Sequence, residues 1–86
     1  MAVVYAVFRS RGQALRFTAA LCGCGVQADT ASAPQEAHIG CALAARFCPQ
    51  CLPQAKRLLS SGCWNAFAGF YRLERAGGNT FVSRIG

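Results

Sequence analysis

Two close-set pairs of cysteines constrain the fold of this chain more than any other feature. They lie in the segments CGCG, residues 22–25, and CPQC, residues 48–51, and the whole chain holds six cysteines in 86 residues. A domain of this length buries little apolar surface, so disulfides or a bound metal ion usually stabilise it. We therefore expect a single domain, residues 1–86, in which the cysteines have a stabilising role.

The sequence near the amino terminus bears on the redox compartment. The apolar segment MAVVYAVF ends at Arg9 and Arg11, and Arg16 interrupts the next apolar run. This pattern predicts neither a signal peptide nor a membrane span, which needs about 18 apolar residues. We therefore expect a cytoplasmic protein, in a compartment where thiols are kept reduced. In that compartment clustered cysteines favour a metal ion over disulfides.

The spacing of the cysteines predicts a structural zinc site. Zinc takes four soft donors in a tetrahedron, and C-x-x-C turns bring two thiolates together. The segment CPQC precedes a predicted helix, whose positive end favours thiolates, and the glycines of CGCG allow a tight turn. We predict Zn²⁺ on Cys22, Cys24, Cys48 and Cys51, in a zinc-knuckle segment similar to those of treble-clef and zinc-ribbon modules.

The sequence leaves one alternative pair of zinc ligands open. His38 and Cys41 have H-x-x-C spacing and could replace one pair of ligands, whereas Cys63 is more typical of a small buried residue. A redox-active CPQC pair needs a βαβ context at the first strand, which the predicted elements lack, and it would leave the C-x-C pair of CGCG unexplained. The chain has three carboxylates and one histidine, and their positions suggest no general base. We therefore expect a protein that is not an enzyme.

Hydrophobic patterning predicts an α+β fold: a small antiparallel sheet with one main helix packed on one face. The apolar segment 2–9 predicts a central strand, and alternation over 14–21 predicts a second strand in a hairpin with it. A short helix is predicted from about residue 35, with Phe47 at the end of its apolar stripe. The main helix is predicted to begin at Pro53 and end near Gly62. Strands are then predicted over 64–75, with a bulge at Gly69, and over 80–85, with a glycine turn between them.

The charge balance predicts a polyanionic or acidic partner. The formal net charge is +6, with only three acidic residues, and the chain stays basic even with four thiolates on one zinc ion. Lys56 and Arg57 are adjacent on the main helix, and Arg72 and Arg75 lie on the following strand. The alternative interpretation of Lys56 and Arg57 is that they lie on a solvent-exposed helix face and bind no partner.

Three aromatic residues have two possible roles. Trp64, Phe70 and Tyr71 would stack on bases if the protein bound nucleic acid directly, and would be core residues otherwise.

Two segments resemble a known family. The start MAVVYAVF, with Tyr5, and the run QAKRLLSSGCWNAFAGFYRLERAGGNTFV, residues 54–82, are similar to small phage anti-CRISPR proteins that inhibit type I Cascade complexes. The shared features are a helix with QAKR, a serine, a cysteine before an aromatic residue, a strand ending near a glutamate, and a glycine turn before a last strand. The cysteine-rich middle of the chain has no counterpart in that pattern.

The resemblance implies a protein inhibitor that acts in the cytoplasm of a bacterial host cell. Lys56 and Arg57 would bind a Cascade complex where target DNA lies and block DNA binding, and Arg72 and Arg75 would extend the contact. The alternative function is a small zinc-ribbon protein that binds nucleic acid directly or acts as an adaptor. A membrane or a small-molecule substrate is not expected as a partner.

Overall fold

The computed structural model describes residues 2–33 and 43–85. In chain order its elements are β1 (Ala2–Phe8), α1 (Arg11–Gly23), β2 (Ala28–Ser32), β3 (Leu43–Phe47), α2 (Leu52–Ser61), β4 (Phe67–Ala76) and β5 (Asn79–Arg84). A single 3₁₀ turn, Pro49–Cys51, leads into α2. The predicted α+β class and antiparallel sheet are confirmed, but two helices are present among the described residues rather than one main helix.

The strands form one five-stranded sheet in the order β2-β3-β1-β4-β5, and all neighbouring strands are antiparallel. The first six elements follow the order β-α-β-β-α-β of the split βαβ motif, and β5 extends it by a hairpin. β1 lies at the centre of the sheet, as its apolar sequence predicts. β5 is an edge strand, and the strand predicted over residues 80–85 is confirmed.

Both helices cover the same face of the sheet. Val4, Ala6 and Phe8 alternate along β1 and are fully buried in one core with residues of both helices. Phe17 of α1 and Ala55 of α2 are also fully buried there. The opposite face carries a smaller cluster that includes Val7, Ala44 and Tyr71. The principal core therefore lies between the sheet and the two helices.

The predicted strand over residues 14–21 is wrong, because this segment forms most of α1. Ser10 caps the helix: its side chain accepts a hydrogen bond of 3.3 Å from the amide of Gln13. The buried residues Ala14, Phe17 and Leu21 are spaced three and four apart, which is the period of a helix. Leu15, which a strand would place on the same side as Phe17 and Leu21, is 53% exposed.

The short helix predicted from about residue 35 falls partly outside the described residues. Its last part is wrong, because Leu43–Phe47 is β3, with Ala44, Ala45 and Phe47 buried. Residues four apart lie on one face of a helix, but they also lie on one face of a strand, because four is an even number. The spacing therefore does not distinguish a helix from a short strand here.

The carboxyl-terminal half agrees with the prediction. α2 ends at Ser61 with Gly62 as its cap, and the register of β1 with β4 shifts beside Gly69. Gly77 and Gly78 have positive φ angles of 58° and 81°, which the tight turn between β4 and β5 requires. Among the residues that the structure describes, no helix is both long and apolar enough to cross a lipid bilayer.

Candidate functional site: four cysteines at one end of the sheet

The fold brings the CGCG and CPQC segments to the same end of the molecule. β2 begins where β3 ends, since Ala28 pairs with Phe47. Cys22 and Cys24 lie at the end of α1, just before β2, and Cys48 directly follows β3. Cys22 and Cys24 thus follow a helix and not the hairpin strand predicted over residues 14–21, whereas the position of CPQC at the start of a helix is confirmed.

Two contacts place CGCG against its neighbours. The Sγ of Cys22 donates a hydrogen bond of 3.4 Å to the carbonyl oxygen of Ala28. The amide of Cys24 donates to the carbonyl oxygens of Ala20 and Leu21 and so ends α1. Cys24 also lines a surface cavity of about 320 Å³ with Arg57 and other residues of α2.

CPQC forms a tight turn between β3 and α2. The amide of Cys51 donates a hydrogen bond of 2.9 Å to the carbonyl oxygen of Cys48. Cys48 is exposed, and Cys51 is half-buried and packs against the principal core. Cys48 also borders a shallow cavity of about 290 Å³ that includes Ala28. The two cysteines of this turn therefore differ in their access to solvent.

The described cysteines are free thiols, and Cys22, Cys24, Cys48 and Cys63 are exposed. Cys63 is thus not the small buried residue that its sequence position suggested, and it lies beyond the far end of α2. Within residues 2–33 and 43–85, no group of three or more Cys, His, Asp or Glu residues is close enough together to hold a metal ion. His38 and Cys41 lie outside the described residues.

An ion pair borders the cysteine end of the sheet. Arg46 of β3 binds the carboxylate of Asp29 of β2 with two hydrogen bonds, from Nε at 3.0 Å and from Nη2 at 2.6 Å. The hydrogen bond from Arg46 lowers the pKa of Asp29, and the same bond, together with one to Tyr5, raises the pKa of Arg46. The pair is exposed and joins the outer strand β2 to its neighbour.

The residues predicted to bind a partner lie on different surfaces. Lys56 and Arg57 are exposed on α2, on the helix side of the sheet. Arg72 is exposed on β4, and its Nη2 lies 3.9 Å from Oε1 of Glu74. Arg75 is exposed three residues later on the same strand. Residues an odd number apart on a strand point to opposite faces, so Arg72 and Arg75 do not share one patch.

Arg75 borders a cavity on the sheet face that lies opposite the helices. The cavity has a volume of about 390 Å³ and is lined by Val3, Tyr5, Arg46, Leu73 and Arg75. Of the predicted stacking residues, Phe70 and Tyr71 are buried at 2% and 9% exposure. Trp64 is half-buried against Phe8 and Phe17, with ring centroids 5.8 and 5.1 Å apart. These three residues belong to the packed interior, which was the alternative interpretation.

Comparison with known protein families gives one match, and it includes the cysteines. Residues 4–66, or 63 of the 86 residues, match the model of a family described as "Putative Se/S carrier protein-like". The chain belongs to this family. The matched region runs from β1 to the residue before β4 and contains all six cysteines. Searches of the curated proteins and of the solved structures found no significant match.

Sequence reasoning missed two features of the site. The first is α1, the helix that ends beside Cys22 and Cys24. Its signal was present in the sequence, because a serine, Ser10, before apolar residues at 14, 17 and 21 is a typical helix start. Sequence reasoning also missed that β3, α2 and β4 form a βαβ unit around CPQC. β3 and β4 are both antiparallel to β1, so they run in the same direction on either side of it.

Proposed function

We propose that this protein is a sulfur or selenium carrier, which holds the atom on a cysteine as a persulfide or its selenium analogue and passes it to an acceptor. The observation that carries the proposal is the family match, which spans every cysteine of the chain. Exposed, free thiols at one end of the fold support it, because a carrier thiol must reach both a donor and an acceptor.

The chemistry of loading is a transfer between thiols. A cysteine thiolate attacks the outer sulfur of a donor persulfide, R–S–SH, and the donor leaves as the thiolate RS⁻. The product is Cys–S–SH, so no external oxidant or reductant is consumed. The step needs an accessible sulfur more than a deep pocket, which fits a small protein with shallow cavities. The prediction that the chain is not an enzyme is compatible with this stoichiometric role.

Among the described cysteines, Cys48 is the best candidate for the loaded thiol. It is exposed, it directly follows a buried strand, and it precedes the first turn of a helix. The rigid strand on one side fixes its position.

The test is a loading map. The reduced protein is treated anaerobically with a small persulfide donor, alkylated at early times to trap any persulfide, freed of the donor, digested and analysed by mass spectrometry. We expect one peptide to gain one sulfur atom, and Cys48→Ser to abolish the gain while Cys63→Ser keeps it. Cys41→Ser tests the cysteine outside the described residues. Equal loading of every cysteine, or no loading, would contradict a dedicated carrier.

The predicted zinc site is a further proposal for the same cysteines. We propose that Cys22, Cys24, Cys48 and Cys51 bind Zn²⁺ as a zinc knuckle when metal is supplied. Their convergence at one end of the sheet supports it, although these thiols would have to move closer together to bind one ion. Zinc and a persulfide would compete for the same sulfurs, so metal loading is expected to slow alkylation and persulfidation together.

Inhibition of a type I Cascade complex by Lys56 and Arg57 also stays a prediction. Both side chains are exposed on α2, as such a contact requires. The test is recovery of Cascade subunits from a bacterial lysate by the native protein, with Lys56→Glu/Arg57→Glu as the control. Equal recovery by the double variant, or none by either protein, would contradict it. A steep loss of affinity for naked nucleic acid with added salt would favour direct binding instead.

A further inference from the structure

The CPQC turn lies in the structural setting of a redox-active cysteine pair. β3 leads into the turn, α2 follows it, and β4 returns parallel to β3 on the other side of β1. A C-x-x-C segment at the strand-to-helix turn of a βαβ unit is typical of a reversible dithiol. The sequence argument against such a pair was the absence of this unit at the first strand, and the fold supplies one at β3 instead.

The turn holds the two cysteines close enough to form a disulfide. The hydrogen bond of 2.9 Å from the amide of Cys51 to the carbonyl oxygen of Cys48 closes a four-residue turn. Such a turn keeps its end Cα atoms less than about 7 Å apart. Disulfides span Cα separations of about 4.4–6.8 Å. Pro49 fixes the first central φ angle of the turn, which limits the conformational change needed to join the sulfurs.

The two thiols differ in a way that assigns their roles. Cys48 is exposed, so a donor in solution can reach it. Cys51 is half-buried against the core, so a large donor reaches it less easily. An exposed thiol that reacts first, with a shielded one a turn away, is the arrangement of an attacking and a resolving cysteine.

We propose that Cys51 resolves a persulfide on Cys48 and so releases the carried sulfur as sulfide. The inference rests on the proposed carrier function for its substrate. The thiolate of Cys51 attacks Sγ of Cys48 in Cys48–S–SH, the S–S bond of the persulfide breaks, and HS⁻ leaves. The product is the Cys48–Cys51 disulfide. The outer sulfur is reduced to sulfide as the two cysteines are oxidised, and a dithiol reductant returns the protein to its starting state.

This step gives the carrier two outlets. An acceptor that reaches Cys48 first takes the sulfur at the persulfide level, and without an acceptor the pair discharges it as sulfide. The product class is then inorganic sulfide, or selenide for a selenium load. The reaction needs Cys51 and does not need the cysteines of CGCG.

The first experiment tests the pair without any sulfur donor. The wild-type protein is equilibrated in buffers of reduced and oxidised glutathione, the free thiols are alkylated, and peptides are mapped by mass spectrometry. We expect an intramolecular Cys48–Cys51 disulfide that appears and disappears reversibly with the buffer ratio. If these two cysteines carry only glutathione, or if either pairs with Cys22 or Cys24 instead, the proposal is overturned.

The second experiment measures discharge. The protein is treated anaerobically with a small persulfide donor, freed of it, and assayed for sulfide and for the disulfide. We expect one sulfide per Cys48–Cys51 disulfide in the wild type. Cys51→Ser should keep its persulfide and release at least about tenfold less sulfide in the same time, because the neighbouring thiol has a high effective concentration. Cys63→Ser is the matched control, an exposed cysteine away from the turn.

The outcomes separate the two proposals. If no variant gains a sulfur atom, the carrier function and this release step fail together, while the glutathione titration still reports whether the pair is redox-active. If Cys51→Ser and wild type release sulfide equally, the release step fails and the carrier function stands. Far-ultraviolet circular dichroism checks that each variant keeps the native helix and strand content.

Discussion

The Sγ of Cys22 lies 3.4 Å from the carbonyl oxygen of Ala28, and Ala28 pairs with the residue that precedes Cys48. This relationship connects the end of α1 to the end of β3. It brings two sequence segments that are distant along the chain to one end of the sheet, where thiol chemistry can involve both.

The first prediction concerns thiol reactivity. In the native reduced protein, Cys48 should react with iodoacetamide several-fold faster than Cys51, because Cys48 is exposed and Cys51 is half-buried. Peptide mapping at early times gives both rates in one sample. In denaturant the two rates should converge. Equal rates in the native protein would contradict the assignment of Cys48 as the accessible thiol.

The second prediction concerns the contact between α2 and Trp64. A Cβ atom at Gly62 would lie 2.6 Å from Nε1 of Trp64, which donates a hydrogen bond to the carbonyl oxygen of Leu58. Gly62→Ala should therefore displace the indole and lower the free energy of unfolding by about 1–3 kcal/mol. Urea denaturation followed by circular dichroism measures the change.

Gly12→Ala is the matched control for that substitution. A Cβ atom at this helical position would lie 3.8 Å from Oγ of Ser10, an ordinary contact. Alanine in a helix loses less backbone entropy than glycine, so this variant should be more stable by about 0.5–1 kcal/mol. Similar effects of the two substitutions would show that the crowding at Trp64 is not what makes Gly62 sensitive.

The third prediction concerns acid stability. The hydrogen bond from Arg46 lowers the pKa of Asp29 below its usual value of 3.8 in the folded state. The ion pair therefore stabilises the fold fully above about pH 4, and this contribution is lost as the pH falls through the lowered pKa. Since both side chains are exposed, the contribution is below about 1 kcal/mol.

Asp29→Asn tests that pair. The variant should be slightly less stable than the wild type at neutral pH, and the difference should disappear in strong acid, where the wild-type carboxylate is protonated. Urea denaturation at a series of pH values measures it. A difference that persists unchanged to low pH would mean that the side chain of Asp29 acts through something other than its charge.

The fourth prediction concerns metal. If the four cysteines at the end of the sheet bind Zn²⁺, protein purified with zinc in the medium should contain one ion per chain, and a chelator should lower its melting temperature. Cys24→Ser should reduce the zinc content, and Cys63→Ser should not. Metal-free protein with an unchanged melting temperature would contradict the zinc prediction and leave the thiols free for sulfur.

β1, β4, β5 and α2 could be predicted because each has a local signal, whereas β2 was not predicted and β3 was predicted to be part of a helix. Pro53 and Gly62 mark the two ends of α2, and the two glycines after Ala76 mark the last turn. α1 was misassigned because its apolar residues satisfy both a period of two and a helical period. Burial of Phe17 and Leu21, with exposure of Leu15, decides between them, and burial depends on packing against β1.

The site could be predicted only in part for the same reason. The sequence shows that Cys48 and Cys51 precede a helix, which is a local property. It does not show that Cys22 lies at the same end of the sheet, because that depends on α1 being a helix and on the pairing of β2 with β3. The βαβ unit around CPQC likewise depends on β4 lying beside β1, a pairing that is remote along the chain.

The most direct test of the carrier function is the intact mass of the Cys51→Ser variant, which lacks the thiol that releases the sulfur, after exposure to a cysteine desulfurase and L-cysteine, followed by gel filtration under anaerobic conditions. The carrier function predicts a species heavier by one sulfur atom, which returns to the original mass after treatment with cyanide or a dithiol. A chain whose mass never changes, while a small thiol in the same mixture does become persulfidated, would contradict it.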